Sequence, residues 1–373
     1  MASESRLRRW FKLAAVFGSL CFALLVAEGG ARLFEKRGGH SRLFTEFDPL
    51  LGWRKIPGKS GVMKTGEYEV TESINARGLR GPVVPHEKPD GEYRVLVLGD
   101  SFVEGYTVED DQHSTAVMMR LLDAAPGETR FEVINAGTGG YSTDQELLFF
   151  TSEGHKYRPD LTVLVFFDND TWYNAQSKYT VGAKPVFHLD ESGNLQLQTS
   201  HVVPLSQSGS ALAGFLWDHS HLYRRIRRKL ARPGRLEDAN AAYQMPLSEQ
   251  MKKAWRVTTA ILGELKKETA EIGSGLLVVY TPGNYAIYED VASERLEKYG
   301  QAAGERDFGR VARDLEQACA EHGIPYLDLT PLLKAEAAKG NILYFRKDGH
   351  WNLDGHRRVG EWLAAAVLEK QKQ

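Results

Sequence analysis

Arg94-Val95-Leu96-Val97-Leu98-Gly99-Asp100-Ser101-Phe102-Val103-Glu104-Gly105 is the stretch on which the fold turns. Four consecutive apolar residues, Val95 to Leu98, stop abruptly at Gly-Asp-Ser. A strand covered on both faces reads this way, because neither side of its pleat meets water. Similar short runs recur at 131–134, 162–167, 276–280 and 325–329. Longer helical stretches lie between and after them, at about 114–125, 143–156, 248–271, 306–322 and 353–371. In the third of these, Trp255, Thr258, Ile261, Leu262 and Leu265 keep a 3.6-residue period and form a core face. Strands alternating with helices specify a doubly wound α/β fold around a five-stranded parallel sheet. Its ligand crevice is expected at the carboxyl ends of the strands, where Ser101 falls.

The composition narrows what such a domain does. The 373 residues are 42% hydrophobic and 26% charged, which excludes global disorder. A net charge of -2 argues against a general nucleic-acid coat, and two cysteines, Cys21 and Cys319, cannot build a disulfide scaffold or a Cys-rich zinc site. Arg6, Arg8, Arg9 and Lys12 precede an apolar run at 13–27, interrupted by Glu28. If Glu28 and Arg32 snorkel, the helix continues to Phe34 and reaches spanning length. The favoured reading is an uncleaved signal anchor at 13–34 behind a cytoplasmic basic flank at 1–12, with the rest exported. A cleaved signal peptide is the alternative.

Residues 35–92 read as a loop-rich lead-in with short strands, among them the alternating Tyr68-Glu69-Val70-Thr71. The α/β domain occupies 93–371. Its rhythm breaks at 171–245, an insertion read as a lid over the crevice. The insertion holds an expected hairpin at 186–197 and a basic amphipathic helix at about 212–230.

Four groups of residues carry possible chemistry. Ser101 follows the first strand at a helix N-terminus, where backbone N–H groups stabilise an oxyanion; a serine there needs a base. Lys347-Asp348-Gly349-His350-Trp351 lies just ahead of the last helix. In an extended loop residues two apart point the same way, so Asp348 can orient His350, which faces the serine. Asn135-Ala136-Gly137-Thr138-Gly139-Gly140 follows the second strand, and Asp168-Asn169-Asp170 the third. Each has a plain structural explanation: a helix cap, a polar loop, a turn. Their joint placement past strands or before the last helix favours a site.

The order Gly-Asp-Ser, Gly-rich block, Asn-Asp and C-terminal Asp/His resembles the SGNH (GDSL-type) hydrolase superfamily over residues 93–368. The resemblance implies a flavodoxin-like sheet, Ser101 as nucleophile, and Asp348 and His350 as its triad partners. It also implies the Ser101 N–H, Gly140 (or else Gly139) and Asn169 as oxyanion donors. Phe102 stands where many members have Leu, and one residue instead of two separates the acid from the base. The Asp-x-His-Trp form is similar to SGNH proteins of exopolysaccharide O-acetylation. There is no second glycine for a nucleophile elbow and no Lys-Ser/Thr for a P-loop.

Other clusters have plainer readings. Asp218-His219-Ser220-His221 puts two histidines on different helix faces, so no metal is expected there. Arg224, Arg225, Arg227, Arg228 and Lys229 fit a solvated helix face, or contact with anionic lipid or polysaccharide. The expectation is a membrane-anchored, exported esterase of O-acyl, chiefly O-acetyl, esters on a surface glycan. Its partners are that small ester substrate and the lipid bilayer, with no nucleic acid, metal or cofactor; nothing specifies an oligomeric state. The same site with a sugar acceptor is an O-acetyltransferase. A lipid thioesterase or lysophospholipase, and a non-catalytic glycan-binding scaffold, are the rivals. Asn174, inside the insertion, is expected to be an indifferent neighbour of Asn169.

Overall fold

In the computed structural model the described residues are 2–35, 44–179, 181–204, 211–230, 240–298 and 303–372. They group into two compact units. One holds the helix Ala2–Glu35 with the helices Ala211–His219 and His221–Leu230. The apolar part of the first helix, Trp10–Leu33, is 24 residues long, with most of its apolar side chains exposed, and is enough in length and composition to cross a bilayer.

The other unit opens with two antiparallel pairs, β1 (Thr45–Asp48) with β2 (Gly52–Lys55), and β3 (Ser60–Lys64) with β4 (Glu69–Ser73). The central sheet contains β5 (Glu92–Gly99), β6 (Arg130–Asn135), β7 (Leu161–Phe167), β10 (Gly275–Thr281) and β11 (Tyr326–Asp328). All pairings are parallel, in the order β11-β10-β7-β5-β6. The remaining hairpin is β8 (Val186–Leu189) with β9 (Leu195–Gln198), where the sequence places one.

Period-2 alternation sorts each central strand between two apolar layers. Leu96, Leu98, Leu164, Phe166, Leu276 and Val278 face the layer closed by the helices Thr143–Ser152, Glu249–Glu271 and Arg310–Glu321. Val95, Val97, Val163, Val165, Leu277 and Val279 face the layer closed by Ser114–Asp123, Thr330–Ala338 and Leu353–Gln371. Helices on both faces make the sheet doubly wound. Its order reverses between β5 and β7, which puts the crevice beyond their carboxyl ends.

Local chemistry moves several boundaries. The expected helix at 143–156 ends at Ser152 and continues as a 3-10 turn, Gly154–Tyr157, with Gly154 close against the Leu96 side chain. The helix expected from 306 starts at Arg310, because Asp307 accepts the Gly309 N–H at 3.0 Å and holds a turn. The single helix expected at 212–230 is two, broken at Ser220, whose hydroxyl accepts the Tyr223 N–H at 3.0 Å. Thr330–Ala338 and Glu289–Lys298 are helices the sequence reading did not mark.

Candidate active site

The strand-to-helix turn after β5 is tight. Asp100 caps the short helix Ser101–Glu104 by accepting the Phe102 N–H at 2.9 Å, and Gly105 ends it at φ 66°. A side chain at Gly99 would strike Val103, so only glycine lets the helix fold back on the strand. Burial pushes the Asp100 carboxyl up to about 6.

Ser101 Oγ lies 2.7 Å from His350 Nε2, and His350 Nδ1 lies 2.7 Å from Asp348 Oδ1. The structure therefore joins three residues from opposite ends of the domain in one hydrogen-bonded chain. The loop carrying two of them is not extended, contrary to the expectation. Gly349 sits at φ +86°, its N–H donates to Phe345 O at 3.0 Å, and the Phe345 N–H donates to His350 O at 2.8 Å. Tyr344 and Trp351 bridge below this turn, and Trp351 is fully buried. Asp348 and His350 meet because a left-handed glycine folds the loop over.

Further groups hold Asp348, and no sequence signal marks them. Tyr68 Oη donates to Asp348 Oδ2 at 3.0 Å, and Tyr106 Oη to Oδ1 at 3.2 Å. Tyr106 Oη also lies 3.0 Å from His350 Nδ1. Glu67 accepts the backbone N–H groups of Lys347 at 3.1 Å and Asp348 at 2.9 Å. The lead-in thus reaches the acid through Glu67 and Tyr68, in the β3–β4 turn. Burial opposes charge on Asp348, but the hydrogen bond and charge of His350 and the two phenols outweigh it, holding the carboxyl below its usual range. Burial likewise opposes the imidazolium. The bond to and charge of Asp348, with Asp100 and Glu104 behind it, win and raise His350 above its ordinary value.

The Gly-rich block is anchored from below. Asn135 accepts the Gly137 N–H at 2.9 Å and donates to Val103 O at 2.8 Å. The Gly139 N–H donates to the Glu104 carboxylate, which pairs with the buried Lys55. Lys55 also lies 3.5 Å from Glu72, whose carboxyl is pushed up to about 8 by burial and by the charge of Glu104. The upward push on Glu72 works against two full negative charges beside Lys55, which eases the burial of the trio. With the Gly139 N–H taken, the Gly140 N–H and the Ser101 N–H have no intramolecular partner among the described residues. Gly140 sits at φ +81°, and a side chain there would come within 2.5 Å of the Tyr179 ring.

Gly99 pairs with Val165, so Ser101 and Asn169 leave neighbouring strands at the switch point. Asn169 caps nothing, and its Oδ1 is buried without a hydrogen bond. Its flanks are fixed: Asp168 accepts the Gly283 N–H at 2.6 Å and the Tyr285 hydroxyl at 2.9 Å, and Asp170 accepts the Phe167 N–H at 3.1 Å. Asn174 is not an indifferent neighbour. It is fully buried, accepts the Asp144 N–H at 3.0 Å and donates to Thr258 Oγ1 at 3.0 Å.

Residues 97–358 match the profile of the GDSL-like Lipase/Acylhydrolase family. Among solved structures, an acetyl xylan esterase, AlAXEase, is 17% identical, with 74% of this chain and 99% of that one covered at a TM-score of 0.42. A lipase/acylhydrolase from Enterococcus faecalis is 15% identical, with coverages of 74% and 96% and a TM-score of 0.40. A catalytic mutant of an acetylxylan esterase from Geobacillus stearothermophilus is 14% identical, with coverages of 72% and 91% and a TM-score of 0.39. No curated protein sequence matches.

Proposed function

From the premise that the chain belongs to the GDSL-like lipase/acylhydrolase family and is a carboxylic ester hydrolase, we propose a membrane-anchored, exported serine esterase that removes O-acyl, chiefly O-acetyl, groups from a surface glycan. The observation that carries the reading is the Ser101–His350–Asp348 chain, with both links at 2.7 Å. Ser101 Oγ attacks the ester carbonyl while His350 Nε2 takes its proton, and Asp348 steadies the imidazolium. The oxyanion is received by the N–H groups of Ser101 and Gly140 and the Asn169 amide. His350 then protonates the sugar oxygen as its bond to the acyl carbon breaks, leaving an acyl ester on Ser101. Water attacks that ester with His350 again as base, and as the Oγ–acyl bond breaks His350 returns the proton to Ser101 and the carboxylic acid departs.

Three further observations support the finer parts. The Trp10–Leu33 helix is about 36 Å long at about 1.5 Å per residue, sufficient for a ~30 Å hydrocarbon core. Arg6, Arg8 and Arg9 ahead of it favour a cytoplasmic N-terminus and an exported domain. The Asp-x-His-Trp loop supports a glycan ester through its likeness to exopolysaccharide O-acetylation proteins.

The test is hydrolysis of p-nitrophenyl esters of increasing acyl length by the full chain in detergent, with Ser101→Ala as its control. Acetate should be the preferred ester, and the variant should lose on the order of 10⁴-fold or more in rate while remaining folded. Near-wild-type turnover by folded Ser101→Ala would overturn the nucleophile. A preference for long acyl chains would replace the glycan by a lipid substrate.

A further inference from the structure

Glu28 stands inside the apolar stretch Trp10–Leu33, five positions from its end. A carboxylate at that depth requires partners. Its Oε1 accepts the His221 N–H at 2.9 Å and the Arg32 Nε–H at 2.9 Å. Its Oε2 accepts the Leu222 N–H at 2.9 Å and the Ser220 hydroxyl at 2.8 Å. Arg32 also donates to His219 O at 3.3 Å. One side chain of the apolar helix therefore caps the helix His221–Leu230 and fixes the break that separates it from Ala211–His219.

This link sets a depth. Five residues amount to about 7.5 Å along the helix axis, and the 24-residue span exceeds a ~30 Å core by about 3 Å at each end. Glu28 and the start of His221–Leu230 then lie within about 5 Å of the boundary between acyl chains and headgroups. The two helices suit that level. His221–Leu230 contains Arg224, Arg225, Arg227, Arg228 and Lys229 and no acidic residue. Leu212, Phe215 and Ile226 are large apolar side chains exposed by 67%, 58% and 46%. A basic helix that also exposes Ile226 next to Arg225 suits contact with acyl chains and phosphates at an interface.

We propose that Ala211–His219 and His221–Leu230 form a surface that lies in the membrane interface and binds anionic phospholipid headgroups, with Glu28 as the tether that holds it at that depth. The proposal rests on the reading of Ala2–Glu35 as an anchor. It accounts for the one carboxylate within the Trp10–Leu33 span.

The test uses the full chain, with Cys21 and Cys319 replaced by Ala, in bilayer nanodiscs of phosphatidylcholine with or without phosphatidylglycerol. A fluorophore is placed on Ile226→Cys, or on Leu25→Cys within the span, and quenched by brominated lipid. Both probes should be quenched, the Ile226 probe roughly twofold more with phosphatidylglycerol present and less at high salt. Arg224→Gln with Arg225→Gln should remove that lipid dependence, and Glu28→Gln should weaken quenching at Ile226 but not at Leu25. Quenching at Leu25 alone, or equal quenching of Ile226 in both lipid mixtures, overturns the interfacial surface and spares the anchor. Absence of quenching at both overturns the anchor reading.

Discussion

Replacing both phenols that reach Asp348, Tyr68→Phe together with Tyr106→Phe, should shift the pH dependence of the esterase upward. His350 must be neutral to accept the Ser101 proton, so activity rises as pH climbs through the imidazole pKa. Burial opposes that pKa, but Asp348 raises it above its ordinary value. The phenols, at 3.0 and 3.2 Å, share the negative charge that Asp348 offers to the imidazolium. A hydrogen bond to a charged group contributes about 1.5–3 kcal/mol, and ~1.4 kcal/mol corresponds to one pH unit. The Asp348 side chain is 19% exposed, so water takes over part of the vacated positions. The expected displacement of the acid limb of kcat/KM is therefore about 0.5–1 unit toward higher pH. It is measured with p-nitrophenyl acetate across the acid limb, with circular dichroism to establish folding. Repeating Tyr68→Phe alone on Asp348→Ala should give no displacement, because Tyr68 reaches the imidazole through the carboxylate, whereas Tyr106 also touches His350 Nδ1. A folded double variant with an unmoved acid limb would refute the reasoning, as would a displacement by Tyr68→Phe without Asp348.

Asn169→Ala should lower kcat by about 10²–10³ with little change in KM, because the amide acts on charge that exists only in the transition state. If kcat is unchanged, the donor lies elsewhere. Asn174→Ala should instead destabilise the protein by about 1–3 kcal/mol in thermal or denaturant unfolding, since it strands the buried Asp144 N–H and removes the bond to Thr258. Gly140→Ala should reduce kcat about tenfold or more, as a new side chain meets Tyr179 and the positive φ is strained. Adding Tyr179→Ala should recover only part of that loss, and full recovery would mean that backbone conformation at Gly140 does not matter.

The central strands were legible because burial on both faces leaves a local record. Val95–Leu98 is apolar at every position, and no neighbour need be known to recognise it. The helix Thr330–Ala338 left a weaker record: it begins two residues after β11, and its Thr-Pro start is also how a turn is written. Asp348 and His350 could be paired from their spacing, but the extended geometry assumed for them was wrong. Gly349 permits the turn that joins them, and a glycine directly after an aspartate does not announce which conformation it takes.

The sequence by itself determined which segments are the five central strands, that they lie in a parallel sheet with helices on both faces, and that Ser101 stands at a strand end. These properties depend on periodicity and local steric preference, which neighbouring residues carry. Tertiary structure alone decided that β7 lies beside β5, which sets Asn169 near the strand end that bears Ser101. It alone decided that Glu104 consumes the Gly139 N–H and leaves that of Gly140. It alone brought Tyr68 to Asp348 across 280 positions and Glu28 to Leu222 across 194. Such contacts form because strand order and packing close loops whose ends share no pattern, so no short-range signal in the chain could have encoded them.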